Sequence, residues 1–342
     1  NNTDSIYPFN VPVEYPKVGE DLTPARIGVI DLNSMDVTWM KIPGESNKFY
    51  LPRMTWMPNK DKLMIQQLNR KQNHSRYFVA NADNGSTELL LEDKDEAWID
   101  VRNTWPYQDK AGWKFINGGK EFLYTSEKDG WSHVYKYDIE KREEFLVTKG
   151  DYDVIRPLSF DEEKGDIYFI ASPKDPTERY LYKTSENNEL ELVTPKLLEG
   201  THNYQISTKS RYAFHSFSNY YTRPMQGIIT LPDHDYINKD DDILSKFNPS
   251  LKDSNPLEFF QITTVDDVTM EGWIVKPDNM DPNKKYPVLF YFYIEPAGQT
   301  GVNRFGVGRN GLYDGRLGED GYVYLTFDGR GSPSPKGRAW RK

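Results

Sequence analysis

The chain has 342 residues, no cysteine, a formal net charge of −9 and 14% aromatic residues. The acidic balance argues against a nucleic-acid surface, because phosphate binding needs clustered Lys and Arg. Zero cysteines exclude disulfides, thiol catalysis and thiolate zinc sites, and without an apolar run of about 18 residues no membrane-spanning helix is expected. The 23 Tyr, 17 Phe and 8 Trp favour strand-rich structure. Asn1-Asn2-Thr3 offers neither an initiator Met nor an apolar signal region, so the natural start is expected upstream.

The first segment, Asn10 to Arg26, carries Pro12, Pro16, Gly19 and Pro24. Proline cannot donate to a sheet ladder, so an extended arm at the edge of a sheet is expected rather than a regular strand. From Ile27 to about Ile229 short strands alternate with hairpin punctuation at Asn84-Gly85, Asn117-Gly118, Asp129-Gly130 and Lys164-Gly165. Strands are expected at Leu63–Leu68, Glu121–Ser126, Trp131–Asp138, Glu144–Thr148, Asp166–Ser172 and Tyr212–Phe217. A similar unit precedes four of them: Thr55 to Lys60, Lys114 to Asn117, Ser159 to Asp161, and Ile206 to Thr208. The period is roughly 45–60 residues, near that of propeller blades. About four blades are visible, the low end for a closed propeller; a β-sandwich with similar hairpins is the alternative on pattern alone.

Beyond Asp235 the pattern changes. Asp240 to Phe247 reads equally as a short capped helix or a solvated acidic linker. Leu257–Thr263 and Glu271–Lys276 are strands. Tyr286–Ile294 and Tyr322–Asp328 are nearly continuous apolar runs, which predicts strands buried on both faces. Between them Phe305–Gly321 is glycine-rich and weakly helical, at best from Leu312 onward. Two apolar strands joined by a crossover suggest a parallel pair and an α/β domain. Two fold classes therefore meet near residue 255.

Five segments carry a resemblance. Glu271-Gly272-Trp273-Ile274-Val275-Lys276-Pro277, followed by Lys285-Tyr286-Pro287-Val288-Leu289, resembles the opening of the hydrolase domain of the prolyl oligopeptidase family. Phe327-Asp328-Gly329-Arg330-Gly331-Ser332 is similar to that family's D-x-R-G-[ST] segment. Tyr124 to Tyr135 (YTSEKDGWSHVY) resembles the blade motif of its dipeptidyl peptidase IV branch, as do Tyr15 to Gly19 (YPKVG) and Gln67 to Asn73 (QLNRKQN). Each segment is weak alone; their shared order along nearly the whole chain makes the resemblance specific. It implies an all-β propeller, incomplete at its N-terminus, over residues 1–250, followed by the beginning of an α/β-hydrolase domain over 251–342. The activity implied is that of a periplasmic or secreted serine dipeptidyl peptidase acting on peptides with Pro or Ala second, homodimeric and without a cofactor. The arm around YPKVG is then either part of the dimer interface or a loop of one monomer.

The nucleophile of that family sits in G-x-S-x-G on a strand-to-helix turn. No such sequence occurs here. Gly130-Trp131-Ser132-His133-Val134 lacks the closing glycine and falls in a blade hairpin. The nucleophile, its Asp and His, and the glutamate pair that anchors the substrate amine are all expected outside this stretch, and the chain alone is expected to be inactive. A non-catalytic propeller scaffold with a hydrolase remnant is the rival reading.

One catalytic position of the family does fall here. The resemblance implies that Tyr293 supplies the hydroxyl half of the oxyanion hole; the alternative is a buried aromatic equivalent to Tyr291 and Phe292. Glu295 replaces an expected glycine, and either binds the substrate's amino terminus or faces solvent as a loop residue. Asp328 and Arg330 are implied to be structural, fixing the loop after their strand. The five histidines, His74, His133, His202, His215 and His234, show no metal-ligand spacing. His133 is expected to be a hydrogen-bonding strand residue. The run Asp240–Asp242 lacks the alternating oxygen ligands of a calcium loop. No metal site is expected.

Overall fold

A computed structural model describes residues 4–15, 17–58, 61–101, 105, 112–185, 189–293 and 296–342. By internal contacts the chain falls into two units, 1–96 and 97–342. In the first, β1 (Gly28–Ile30) pairs with β2 (Val37–Trp39), and β3 (Phe49–Trp56), β4 (Lys62–Asn69), β5 (His74–Asn81) and β6 (Thr87–Lys94) form an antiparallel meander. Its core is Ile27, Met40, Leu63, Ile65 and Ala80. The described residues of 10–26 contain no strand. Toward its end the segment meets residues flanking β3 and β4, where Arg70 donates to the Glu20 carbonyl at 3.0 Å and Lys48 pairs with Asp21 at 3.2 Å, while Val13, Tyr15 and Val18 stay exposed.

The second unit repeats the meander. One sheet comprises β7 (Trp113–Ile116), β8 (Glu121–Ser126), β9 (His133–Asp138) and β10 (Glu143–Leu146). The next comprises β11 (Val154–Asp161), β12 (Asp166–Ala171), β13 (Tyr180–Thr184) and β14 (Glu191–Leu192), and a third β15 (Thr201–Ile206), β16 (Tyr212–Ser218) and β17 (Met225–Thr230). The recurrent sequence unit thus marks one structural place, since β4, β8, β12 and β16 each follow the first strand of their sheet. Three of these second strands, β4, β8 and β12, bury both faces, as in Ile167-Tyr168-Phe169-Ile170-Ala171, whereas β16 alternates, with Tyr212 and Phe214 exposed. β12 packs between two core clusters, with Ile167, Phe169 and Ala171 on one side and Tyr168 and Ile170 on the other, which explains its run without alternation. β9 begins at His133 rather than Trp131 because Ser132 turns away: its N–H donates to Asp153 Oδ1 at 2.7 Å and its hydroxyl to the Val154 carbonyl at 3.3 Å. That buried hydroxyl is a structural donor within a hairpin. His133 bonds the Asp129 carboxylate at 2.7 Å.

Between 231 and 256 the capped-helix reading holds. Asp242 accepts from Leu244 and Ser245 N–H and opens α1 (Ile243–Lys246), with Ile243 buried beneath it. The last sheet is mixed, in the order β18 (Leu257–Thr263), β19 (Thr269–Val275), β21 (Val323–Phe327), β20 (Val288–Phe290). β20 and β21 are parallel and the other pairs antiparallel. Gly272 makes the centre of this sheet possible, because a Cβ there would lie 2.1 Å from the Thr326 carbonyl oxygen.

Two expectations need correction here. Residues 305–321 form successive turns, not a helix, with six glycines at Gly306, Gly308, Gly311, Gly315, Gly318 and Gly321 removing the side chains a helix would pack. β20 is also short and lies at the sheet's edge, with Val288, Tyr291, Phe292 and Tyr293 all well exposed rather than buried on both faces. Among the described residues no helix is long and apolar enough to cross a membrane. The short α2 (Arg338–Arg341) docks on the β8–β9 hairpin through Arg338 N–H to the Gly130 carbonyl at 2.8 Å and Arg341 to Glu127 at 2.7 Å. Arg341 also pairs bidentately with buried Asp153, just before β11, at 2.7 and 3.1 Å.

Candidate active site

Tyr293 sits three residues past β20, at the carboxyl end of the parallel pair, where α/β sheets present ligand-binding groups. Its side chain is half exposed, 49% by residue. β20 reaches it in register because Tyr291 N–H continues the ladder to the Leu325 carbonyl at 3.0 Å. The ring lies against Gly298, where an added Cβ would stand 2.2 Å from the ring's Cδ1. The glycine is thus the floor on which the ring rests.

The loop that carries this floor is tied at nearly every polar group. Asp328, 2% exposed at the end of β21, accepts from Thr300 N–H at 2.7 Å, the Thr300 hydroxyl at 2.8 Å and Gly301 N–H at 2.9 Å. On the other side the Thr300 carbonyl accepts from the indole N–H of buried Trp273 at 3.1 Å. Trp273 is itself set by an edge-on contact with Tyr324, centroids 5.0 Å apart. A little further on, Asn303 uses every polar group it has. Its N–H donates to Thr177 and its carbonyl accepts from the Thr201 hydroxyl. Its side chain accepts from Tyr220 N–H and donates to Glu178, at 2.7, 2.8, 3.1 and 3.1 Å in turn. Burial pushes the Glu178 carboxyl up to about 7, against the opposing hydrogen bonds from Tyr180 and Asn303.

Asp328 and Arg330 do not act together. Arg330 is exposed and pairs with Asp266 at 3.0 Å, away from the loop. Glu295, read from the sequence as either a ligand for the substrate's amino terminus or a solvent-facing loop residue, lies outside the described residues. Among the described residues no cluster of three or more His, Cys, Asp or Glu could hold a metal ion. Sequence reasoning missed Trp273, Gln299 and Asn303 as supports of the site. The Gly-Trp pair was visible, but nothing in it named Thr300 as the indole's partner.

Asp328→Ala should destabilise the chain by about 3 kcal/mol, because it strands buried donors that each cost roughly 1–3 kcal/mol. Asp328→Asn should recover little, since its NH₂ would face an N–H donor. Urea unfolding read by tryptophan fluorescence checks both, and a change within error of zero for Asp328→Ala would contradict the anchoring described.

The four-stranded meanders place the chain in the multi-sheet, propeller class of all-β folds. Within that class, the family model described as the dipeptidyl peptidase IV (DPP IV) N-terminal region matches residues 1–224, and the chain belongs to that family. It is 26% identical over 339 residues to a probable dipeptidyl-aminopeptidase B of Botryotinia fuckeliana, covering 95% of this chain and 36% of that protein. Identity is likewise 26%, over 348 residues, to dipeptidyl-aminopeptidase B of Aspergillus niger, covering 95% and 37%. The chain thus spans little more than a third of the curated relatives it matches. Among solved structures it resembles Porphyromonas gingivalis dipeptidyl peptidase 4, with a TM-score of 0.83 at 26% identity, over 100% of this chain and 46% of that one. It also shares the fold of a putative dipeptidyl aminopeptidase IV from Bacteroides ovatus, with a TM-score of 0.79 at 20% identity, over 96% and 48%.

Proposed function

We propose that the chain is part of a serine-type dipeptidyl peptidase that releases N-terminal dipeptides with Pro or Ala second, through an acyl-enzyme. The observation that carries the reading is Tyr293, half exposed at the carboxyl end of β20 on a loop locked by Asp328. An oxyanion donor must be held rigidly at the site where charge develops, and such a donor is worth roughly 3–4 kcal/mol in the transition state. In this reading a serine attacks the scissile carbonyl, a histidine relays its proton and an aspartate orients the histidine. Tyr293 and a backbone N–H hold the oxyanion. Residues 1–250 supply propeller blades and 251–342 open the hydrolase domain. The change from antiparallel meanders to a sheet with a parallel pair supports that division. The full-length protein acts outside the cytoplasm as a homodimer, to which the exposed arm of Val13, Tyr15 and Val18 contributes.

The test is hydrolysis by the purified full-length protein of chromogenic Xaa-Pro and Xaa-Ala substrates beside N-blocked versions of the same peptides. Release only from the free-amine forms is expected; no release from either would refute the reading. Residues 1–342 alone should turn over none of them, and turnover by that piece, abolished by a serine-directed inhibitor, would show the division of labour to be wrong.

A further inference from the structure

The floor beneath Tyr293 is held from one more side, and the group that holds it is an arginine from a blade. Arg179 stands at the start of β13, in the sheet preceding the β15–β17 meander. Its Nη1 donates to the carbonyls of Pro176 at 2.9 Å and Glu178 at 2.6 Å, and its Nη2 donates to the side-chain oxygen of Gln299. Burial lowers the guanidinium pKa to about 10 although Asp328 and Asp175 pull the other way. A cation kept at such a desolvation cost is a poor way to add stability alone, since apolar packing does that better.

Gln299 is the junction. Its amide nitrogen donates to the Pro176 carbonyl at 3.0 Å, to the Ser334 hydroxyl at 3.3 Å and to the Gly301 carbonyl at 3.4 Å. Its oxygen is the acceptor for Arg179. The residue before it is Gly298, the one in contact with the Tyr293 ring. A displacement of Gln299 therefore moves the surface on which that ring rests. The contacts run without a gap from blade backbone to Arg179, Gln299, Gly298 and Tyr293.

We propose that Arg179 and Gln299 are positioning residues for Tyr293, setting where its hydroxyl stands without touching substrate themselves. The inference rests on the reading of Tyr293 as an oxyanion donor. Such a donor loses most of its effect when displaced by about an ångström, because the bond must be made to an atom whose position the reaction fixes.

The experiment is a double-mutant cycle in the full-length enzyme with an Xaa-Pro chromogenic substrate. Gln299→Ala and Arg179→Ala should each lower kcat about tenfold with KM within about twofold, the signature of an interaction felt in the transition state. Arg179→Lys, which keeps one donor toward Gln299, should fall between wild type and Arg179→Ala. In a Tyr293→Phe background the same substitutions should cost less than about twofold, because there is no hydroxyl left to position. Where Gln299→Ala fails to fold, Gln299→Glu keeps the acceptor for Arg179 but loses the amide donors, and enters the same cycle. Equal losses with and without the Tyr293 hydroxyl, or wild-type kcat in folded Gln299→Ala, would overturn the inference and leave Tyr293 as donor. Wild-type kcat in Tyr293→Phe alone would overturn both.

Discussion

In the full-length protein, Tyr293→Phe should lower kcat on an Xaa-Pro substrate by about ten- to a thousandfold while KM stays nearly constant. The ring loses only its hydroxyl, so its contact with Gly298 and the loop bonds made by Asp328 and Trp273 all remain. Urea unfolding of the variant beside the kinetics should show the fold retained. The loss falls on kcat because a neutral substrate carbonyl gains little from the hydroxyl, whereas the tetrahedral oxyanion gains a great deal. Tyr291→Phe is the control. That neighbour is also exposed, but its described tie is a backbone bond to Leu325 that the substitution preserves. Steady-state kinetics on the two variants decide the matter. Full kcat in Tyr293→Phe would make Tyr293 a packing aromatic like Phe292.

How much of this was legible in the sequence depends on how local its cause is. The second strands of the sheets could be read to within a residue or two because hairpin turns bracket them. The strand expected at Glu121–Ser126 is β8, and that at Asp166–Ser172 overruns β12 by one residue. The parallel pairing of β20 with β21 followed from two apolar runs and a long crossover. Burial of β20 did not follow, because apolar character says what a strand tolerates, not which neighbours cover it. The turns of 305–321 were misread for a related reason: glycine weakens a helix signal without saying what replaces it. The supports of Tyr293 were illegible. Gln299 meets Arg179, and Asn303 meets Glu178 and Tyr220, across sheets and across long stretches of chain. An amide side chain names no partner until the fold supplies one. The histidines failed in the same way, since a search for metal spacing has nothing to say about residues whose meeting is set by strand register.

That histidine meeting carries the other large prediction: this chain should lose stability steeply as pH falls below about 6.5. His202 on β15 and His215 on β16 are buried beside Tyr204, whose register partner is His215. His202 Nε2 can only donate to the Leu198 carbonyl, at 2.7 Å, so in the neutral ring its Nδ1 accepts from His215 Nε2 at 2.9 Å. His215 Nδ1 then accepts from the Tyr236 hydroxyl, also at 2.9 Å. A further proton on His202 would set two N–H groups against each other. Tyr204 bonds His234 Nε2 at 3.0 Å and Thr194 at 2.9 Å, closing the network. Burial lowers His202 to about 3 and His234 to about 4, and pushes His215 well below its usual value. The unfolded chain takes up these protons near pH 6.5 and the folded chain does not, so stability is whole above that pH and declines below it. Glu178 works the other way. Its raised pKa of about 7 lets the folded state bind a proton first, offsetting one of the three. The net slope between pH 6.5 and 5 should approach two protons, roughly 3 kcal/mol per pH unit. Glu178→Gln should steepen it toward three. Urea unfolding at pH 7.5, 6.5, 5.8 and 5 reads the slope directly, and a flat profile over that range would mean that the three rings accept protons within the fold.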